Sequence, residues 1–383
     1  MIFRILEGQL KQKYGASEQA DRRFMQLALA LGRRGLGRTW PNPAVGAVVV
    51  KDGVIIGRGW TQPGGRPHAE PEALRRAGAA ARGATLYVTL EPCSHIGRSP
   101  PCADAIIAAG IARVVAAIED PNPDVAGQGE AKLRAAGIAV ETGLLAAEAA
   151  HDHAGHFRRV HDRRPHVILK LAVSADDKIG AAGRKPVAIT GEAARTRVHL
   201  MRAQSDAILV GIGTVLADDP LLTCRLPGMD KRSPVRVVLD NSLRMPGDSR
   251  LVHTAREVPL WVMTSELADA PAAARLGAAG AQVIRFPPRQ GQGLDPLAVL
   301  HALAEKGITR LMVEGGSRVA SSFVAGGLVD ELFLFRGNKA VGADGVAALD
   351  ALPLSDITQS PNYRVRASET LDDDTLTIYE RRP

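Results

Sequence analysis

The chain has 383 residues, enough for two domains, and its 45% hydrophobic content includes only 4% aromatic residues, so its cores must be built from small and aliphatic side chains. Lys and Arg number 48 against 41 Asp and Glu, and the resulting charge of +7 fits nucleic acid, phosphorylated small molecules or only a soluble basic surface, with no Lys/Arg-rich stretch interleaved with aromatics. No apolar run reaches the ~18 residues of a membrane span, the start MIFRILEGQLKQKYG has no signal-peptide pattern, and three cysteines cannot make a disulfide framework, so a cytoplasmic protein with neither membrane nor nucleic-acid partner is expected.

Residues 1–17 read as a loose polar extension. From Ser17, a candidate N-cap, the stripe Phe24, Leu27, Ala28 and Leu31 predicts a helix that Gly32, Gly35 and Gly37 end. Ala44–Val50 reads as a buried strand, and Lys51-Asp52-Gly53 supplies hairpin chemistry before a second strand, Val54–Trp60. Helices over about 68–79, 102–109 and 130–136 then alternate with strands over 84–90, 113–118 and 138–140. A hairpin followed by such alternation predicts a mixed sheet with helices on its faces. The basic segment 158–165 reads as a solvated linker. Beyond it a second α/β unit opens at His166–Val173, with strands expected at 206–210, 235–239, 259–263, 281–286, 309–313, 330–335 and 374–380, and helices at 192–203, 294–306 and 317–326.

The chemistry of the first half centres on His68-Ala69-Glu70, Pro92-Cys93 and Cys102. One imidazole and two thiolates suit Zn²⁺ and leave a fourth tetrahedral position for water, whose pKa the metal lowers towards neutrality. Helix N-termini at His68 and Cys102 favour the anionic ligands. Glu70, two residues past the first ligand, is placed to shuttle protons from that water to a ring nitrogen and a leaving ammonia. The order H-x-E…P-C…C is the signature of zinc nucleobase deaminases. Two blander readings stand beside it: His68 capping a helix over two buried cysteines, or a structural zinc, which would want a fourth protein ligand. His95, in the same loop, reads as a polar loop residue or substrate contact, because a closed zinc could not hydrolyse. Cys224 reads as an ordinary thiol.

Nucleobase deaminases acting on tRNA or free cytosine usually carry C-x-x-C, whereas eight residues separate Cys93 from Cys102 in TLEPCSHIGRSPPC. With PNPAVGAVVVKDG upstream and an α/β domain downstream, the chain resembles the bifunctional riboflavin-biosynthesis deaminase/reductase family over residues 19 to 380. The resemblance implies an N-terminal cytidine-deaminase-like α/β/α domain over 18–157 and, after the linker, a C-terminal dihydrofolate-reductase-like α/β domain over 166–383. It implies zinc-dependent hydrolytic deamination of a pyrimidine phosphoribosyl compound, then NADPH reduction of the ribosyl group to ribityl, in a protein that commonly forms homo-oligomers. The rival readings are a nucleic-acid-editing deaminase with an accessory domain, which predicts C-x-x-C spacing and a basic face, and a zinc-stabilised binding protein, which has no need of Glu70.

Residue by residue, the resemblance puts Asn42 of the PNP motif against the pyrimidine, where an amide offers both donor and acceptor. In KLAVSADDKIG it brings Lys170 to the substrate and Ala172 to the cofactor. In RAQSDAILVGIGTVLADDPLLTCR it assigns Arg202 and Arg225 to the substrate phosphate, which a planar guanidinium binds with paired hydrogen bonds. Leu222 falls beside the substrate, and Thr214 and Asp218 on the cofactor side. Asn241 of VVLDNS and Gly315, Gly316 and Ser317 of VEGGSRVASSF fall on the cofactor, with the glycines allowing close approach to a phosphate at a helix start, and Glu314 falls on the substrate. The chain departs from the family at Asp177, where a glycine is frequent, at Ala188, a cofactor position where a tryptophan is frequent, and at Gly337–Gly342, where a P-K-L-L-G-like segment is frequent.

Overall fold

The computed structural model describes residues 16–97, 99–123, 125–184, 187–289, 293–350 and 352–382, so most of the expected N-terminal extension lies outside the described residues. The chain divides into two units between Asp162 and Arg163.

The first unit opens with α1 (Ala16–Gly32), and Ser17 lies inside this helix rather than before it. β1 (Gly46–Lys51) and β2 (Val54–Trp60) form the expected hairpin. Asp52 and Gly53 both have positive φ, 51° and 75°, as a two-residue turn of this twist requires. Three further strands, β3 (Thr85–Val88), β4 (Arg113–Ala116) and β5 (Ala139–Thr142), complete a sheet in the order β2-β1-β3-β4-β5. β1 pairs antiparallel with both β2, its hairpin partner, and β3, and β3-β4-β5 run parallel.

Alternation along β1 decides the layers. Ala47 and Val49 face a core shared with α2 (Ala69–Ala77), α3 (Cys102–Ala109) and α4 (Gln128–Ala135), while Val48 and Val50 face α1 and α5 (Ala146–Asp152). Each fully buried aliphatic side chain here contributes about 1.5–3 kcal/mol, and the three layers are the expected α/β/α arrangement. Residues 158–162, expected in a linker, are instead the last turns of α6 (Ala154–Asp162). Arg158 pairs with Asp162 one turn on at 2.7 Å, while Arg164, past the helix end and expected to be solvated, is buried and donates to both carboxylate oxygens of Asp330 at 2.6 and 2.8 Å.

The second unit holds a nine-stranded sheet ordered β11-β10-β9-β8-β12-β6-β13-β16-β15. Its parallel part comprises β6 (His166–Val173), β8 (Ala207–Gly211), β9 (Val235–Leu239), β10 (Leu260–Ser265), β11 (Gln282–Phe286), β12 (Arg310–Val313) and β13 (Glu331–Arg336). β15 (Tyr363–Leu371) and β16 (Asp374–Arg381) add an antiparallel hairpin at one edge, and β7 (Lys178–Gly180) pairs separately with β14 (Val346–Ala347). Helices α7 (Glu192–Ala203), α8 (Ile212–Asp218), α9 (Arg250–His253), α10 (Ala270–Ala278), α11 (Pro296–Glu305) and α12 (Ser317–Ala325) fill the connections. In an open parallel sheet the loops beyond the carboxyl ends of the strands form the natural ligand crevice, and the predicted reductase residues cluster there.

Candidate active sites

In the first unit, two small residues of β2 place the histidine helix. A Cβ on Gly57 would come 2.2 Å from Ala73 O, and one on Gly59 would come 2.2 Å from Ala69 O. Only glycine at both lets α2 lie directly on the strand. His68 is the N-cap of α2, extended at φ −69° and ψ 170°, and its side chain caps nothing. The imidazole therefore points elsewhere: its Nδ1 lies 3.3 Å from Cys102 Sγ and 3.7 Å from Cys93 Sγ.

Cys102 is the first residue of α3, and its N–H donates to Cys93 Sγ at 3.4 Å, the geometry by which a helix N-terminus stabilises a thiolate. One ligand atom from each of His68, Cys93 and Cys102 lies within 4.8 Å of the others. Among the described residues no fourth His, Cys, Asp or Glu joins this group, so the donor set fits a zinc with an open position. The Cys93 thiol is drawn down to about 4 by hydrogen bonds with Cys102 and then His68, against burial. The Cys102 thiol is pushed up, chiefly by its bond to Cys93 and by burial, and the bond with Cys93 raises His68. Glu70 is 3% exposed, and burial pushes its carboxyl up against the opposing pull of His68.

Two neighbours that sequence reasoning passed over hold this cage. Glu91, directly before Pro92-Cys93, is buried, and its carboxylate accepts the N–H groups of Asp120, Gly127, Gly129 and Glu130 at 2.9–3.3 Å. Arg66 Nη1 donates to Ser99 Oγ at 2.8 Å across the base of the cysteine loop. The acidic residue beside the Pro-Cys pair was the available signal for the first. Asn42 is half-buried and spends one amide proton on Gly65 O at 2.8 Å, leaving its carbonyl oxygen for another partner.

In the second unit the sheet order brings β6 and β8 to either side of β12, which gathers most of the expected residues at one end of the strands. Glu314 extends β12 by donating its N–H to Leu209 O at 2.9 Å. Its carboxylate receives both Nε and Nη2 of Arg202 at 2.8 and 2.9 Å, in a pair with side chains only 13% and 10% exposed. Arg202 Nη1 goes to Thr223 O at 3.2 Å. The fork expected on the substrate phosphate is therefore engaged with Glu314. Burial works to raise the Glu314 pKa, but the charge and hydrogen bonds of Arg202, with Lys170, outweigh it and hold the group at about 2. Lys170 on β6 faces this pair and is lowered by burial and by Arg202.

Arg225 is exposed, with the charges of Arg202 and Arg250 acting on it. Leu222 is 3% exposed with its side chain in the core and φ 55°, so its backbone is what a ligand could meet. The cofactor residues group around the start of α12. Gly315 is a cradle that a Cβ would fill, meeting Val319 at 2.6 Å, and a Cβ on Gly316 would stand 3.6 Å from Thr214 Oγ1. No side chain caps α12, so the N–H groups of its first turn, from Ser317 on, lack intrahelical acceptors, and the donors suit a cofactor phosphate. Ala172 lies on β6 opposite Phe335, Asp218 is exposed at the end of α8, and Asn241 is exposed just past β9 with its carbonyl accepting from Thr264 Oγ1 at 3.2 Å. Ala188 is exposed in irregular chain.

Comparison with known proteins matches both halves. Residues 18–118 match the cytidine and deoxycytidylate deaminase zinc-binding region, and residues 165–377 match the RibD C-terminal domain. The riboflavin biosynthesis protein RibD of Aquifex aeolicus is 40% identical over 363 residues, covering 95% of this chain and 99% of that protein. The Escherichia coli RibD is 40% identical over 357 residues, covering 90% and 95%. Among solved structures, Acinetobacter baumannii RibD superposes with a TM-score of 0.84 at 35% identity, covering 96% of this chain and 100% of that one. The Thermotoga maritima diaminohydroxyphosphoribosylaminopyrimidine deaminase/5-amino-6-(5-phosphoribosylamino)uracil reductase superposes at 0.83 with 38% identity and the same coverage. A two-unit fold of this kind, similar along nearly its whole length to these proteins, makes the chain a member of the RibD family of bifunctional riboflavin-biosynthesis deaminase/reductases, which use zinc for the first reaction and NADPH for the second.

Proposed function

We propose that the two reactions of the family divide between the two units: deamination of the diaminohydroxyphosphoribosylaminopyrimidine within residues 18–157, and reduction of the resulting 5-amino-6-(5-phosphoribosylamino)uracil within 166–383. His68, Cys93 and Cys102 hold the zinc, which when bound supplies the Lewis acidity that activates water for attack. The three-donor group and the buried Glu70 beside it are the observation that carries this reading. Water adds to the ring carbon bearing the amino group and ammonia leaves. Glu70 takes the water's first proton and gives it to the adjacent ring nitrogen, then takes the remaining hydroxyl proton as the carbonyl forms and delivers it to the departing amine. Burial raises the Glu70 pKa, the direction that helps a carboxyl group both accept and release a proton. Asn42, fixed by Gly65, presents its remaining amide oxygen to the pyrimidine edge.

In the second unit NADPH, held by Thr214, Asp218, Asn241, Gly315, Gly316 and Ser317 with Ala172 and Ala188 at the margin, supplies the hydride when bound. The chain's own residues orient the acceptor. Glu314, kept ionised by Arg202, accepts hydrogen bonds from ribosyl hydroxyls, Lys170 lies beside it, Leu222 offers its backbone, and exposed Arg225, in the combined field of Arg202 and Arg250, meets the phosphate. The protein takes no nucleic acid in this reading, which the absence of a basic stretch with aromatics supports. It works as a cytoplasmic homo-oligomer. Among the described residues no helix is long and apolar enough to cross a membrane.

Replacing Glu70 with Ala is expected to lower the deamination rate by about 10³-fold while bound zinc, measured by metal analysis, stays at one per chain. Deamination that persists in this variant removes the proton-shuttling role.

A further inference from the structure

The stretch Asp219–Arg225 carries Leu222 and Arg225 yet belongs to no helix or strand. Asp219 and Leu222 both have positive φ, 38° and 55°, a conformation unfavourable to any residue with a Cβ. Such a path needs outside support, and side chains provide it at three successive residues. Arg202 Nη1 donates to Thr223 O at 3.2 Å, Cys224 N–H donates to Ser233 Oγ at 3.2 Å, and Arg225 N–H donates to His199 Nδ1 at 3.2 Å. His199 and Arg202 stand three residues apart on α7, so a single helical face clamps the stretch at Thr223 and Arg225. Accepting at Nδ1 requires a neutral ring with its proton on Nε2. Burial, then the charges of Arg202 and Arg225, lowers the His199 pKa against a hydrogen bond to the Thr223 backbone and the charge of Glu314.

We propose that His199 is a positioning residue for the reductase reaction: its Nδ1 fixes the backbone of Arg225 and so sets where the guanidinium meets the substrate phosphate. The inference rests on the reading of Arg225 as the phosphate contact. His199 touches neither substrate nor cofactor in this role.

Full-length His199→Ala, His199→Asn, His199→Gln, Arg225→Ala and the double variant His199→Ala/Arg225→Ala test it, with NADPH oxidation followed against 5-amino-6-(5-phosphoribosylamino)uracil. The His199→Ala protein is expected to show KM raised about tenfold with kcat within about twofold of wild type. The Asn variant, whose Oδ1 takes the place of Nδ1, keeps a near-wild-type KM. The Gln variant, whose amide reaches the place of Nε2 instead, behaves like Ala. Because His199 acts through Arg225, the double variant is no worse than Arg225→Ala alone. A raised KM in Arg225→Ala with an unchanged KM in His199→Ala overturns the positioning role, as do additive effects in the double variant or an Asn variant as impaired as Ala. An unchanged KM in Arg225→Ala overturns the phosphate reading first and the positioning role with it.

Discussion

Glu314 and Arg202 are a case in which a residue's charge state is set chiefly by one neighbour. The carboxylate is buried enough that desolvation alone would raise its pKa, yet the guanidinium bound through two nitrogens reverses the sign and brings it to about 2. A folded pKa below the unfolded one adds stability that is full above the ordinary value of 4.5 and is lost as pH falls through about 2. Comparing the wild type with Glu314→Gln by urea unfolding, with hydrogen exchange read in β12, the pH-dependent part of the difference should be about 3 kcal/mol at neutral pH and vanish near the acid limit. Asp177 illustrates the same economy in the backbone. Its φ is 61°, which explains the family's glycine there, and Asp tolerates the left-handed region better than most residues while its carboxylate pairs with Arg336 at 2.7 Å.

At the scale of elements, the deaminase site depends on how closely α2 approaches β2. Gly57 and Gly59 face the helix from the same side of the strand, and the carbonyls of Ala73 and Ala69 occupy the space a Cβ would need. Backbone cannot yield as the end of a flexible side chain can, so Gly59→Ala must push the His68 and Glu70 end of α2 outward. It is expected to cost about 1–3 kcal/mol in the first unit and to lower zinc content and deamination together, measured by metal analysis and ammonia release. Normal zinc content with normal deamination would mean that the helix tolerates the shift. Two of the elements that sequence patterning missed have little apolar signal of their own. β15 alternates mostly exposed residues and exists because β16 offers it an edge across the turn at Asp372, and α6 reads as linker because its sequence is dominated by charge.

For the molecule as a whole, each unit contains its own set of chemistry-bearing residues, with the cage wholly before Asp162 and the reductase cluster wholly after Arg163. A mixture of Glu70→Ala chains and Glu314→Ala chains should therefore convert the diaminopyrimidine ribotide to the ribityl product with NADPH, as read by mass spectrometry, although neither variant does so alone. Failure of the mixture, with each remaining activity intact, would mean that the intermediate must pass within a single chain.

The sequence by itself singled out His68, Cys93, Cys102 and Glu70, which the fold brings together, the hairpin at Asp52-Gly53 and most strands of both sheets, because these depend on residue type, local spacing and turn chemistry. It could not reveal that Arg202 is committed to Glu314, that Leu222 turns its side chain into the core, that Glu91 gathers four backbone N–H groups behind the cysteine loop, or that His199 holds Arg225. Those partners lie 26 to 112 residues apart in sequence where hydrogen bonds join them. Only the tertiary structure decided them, since a hydrogen-bonding side chain has many possible partners along the chain and the packing of the strands selects among them.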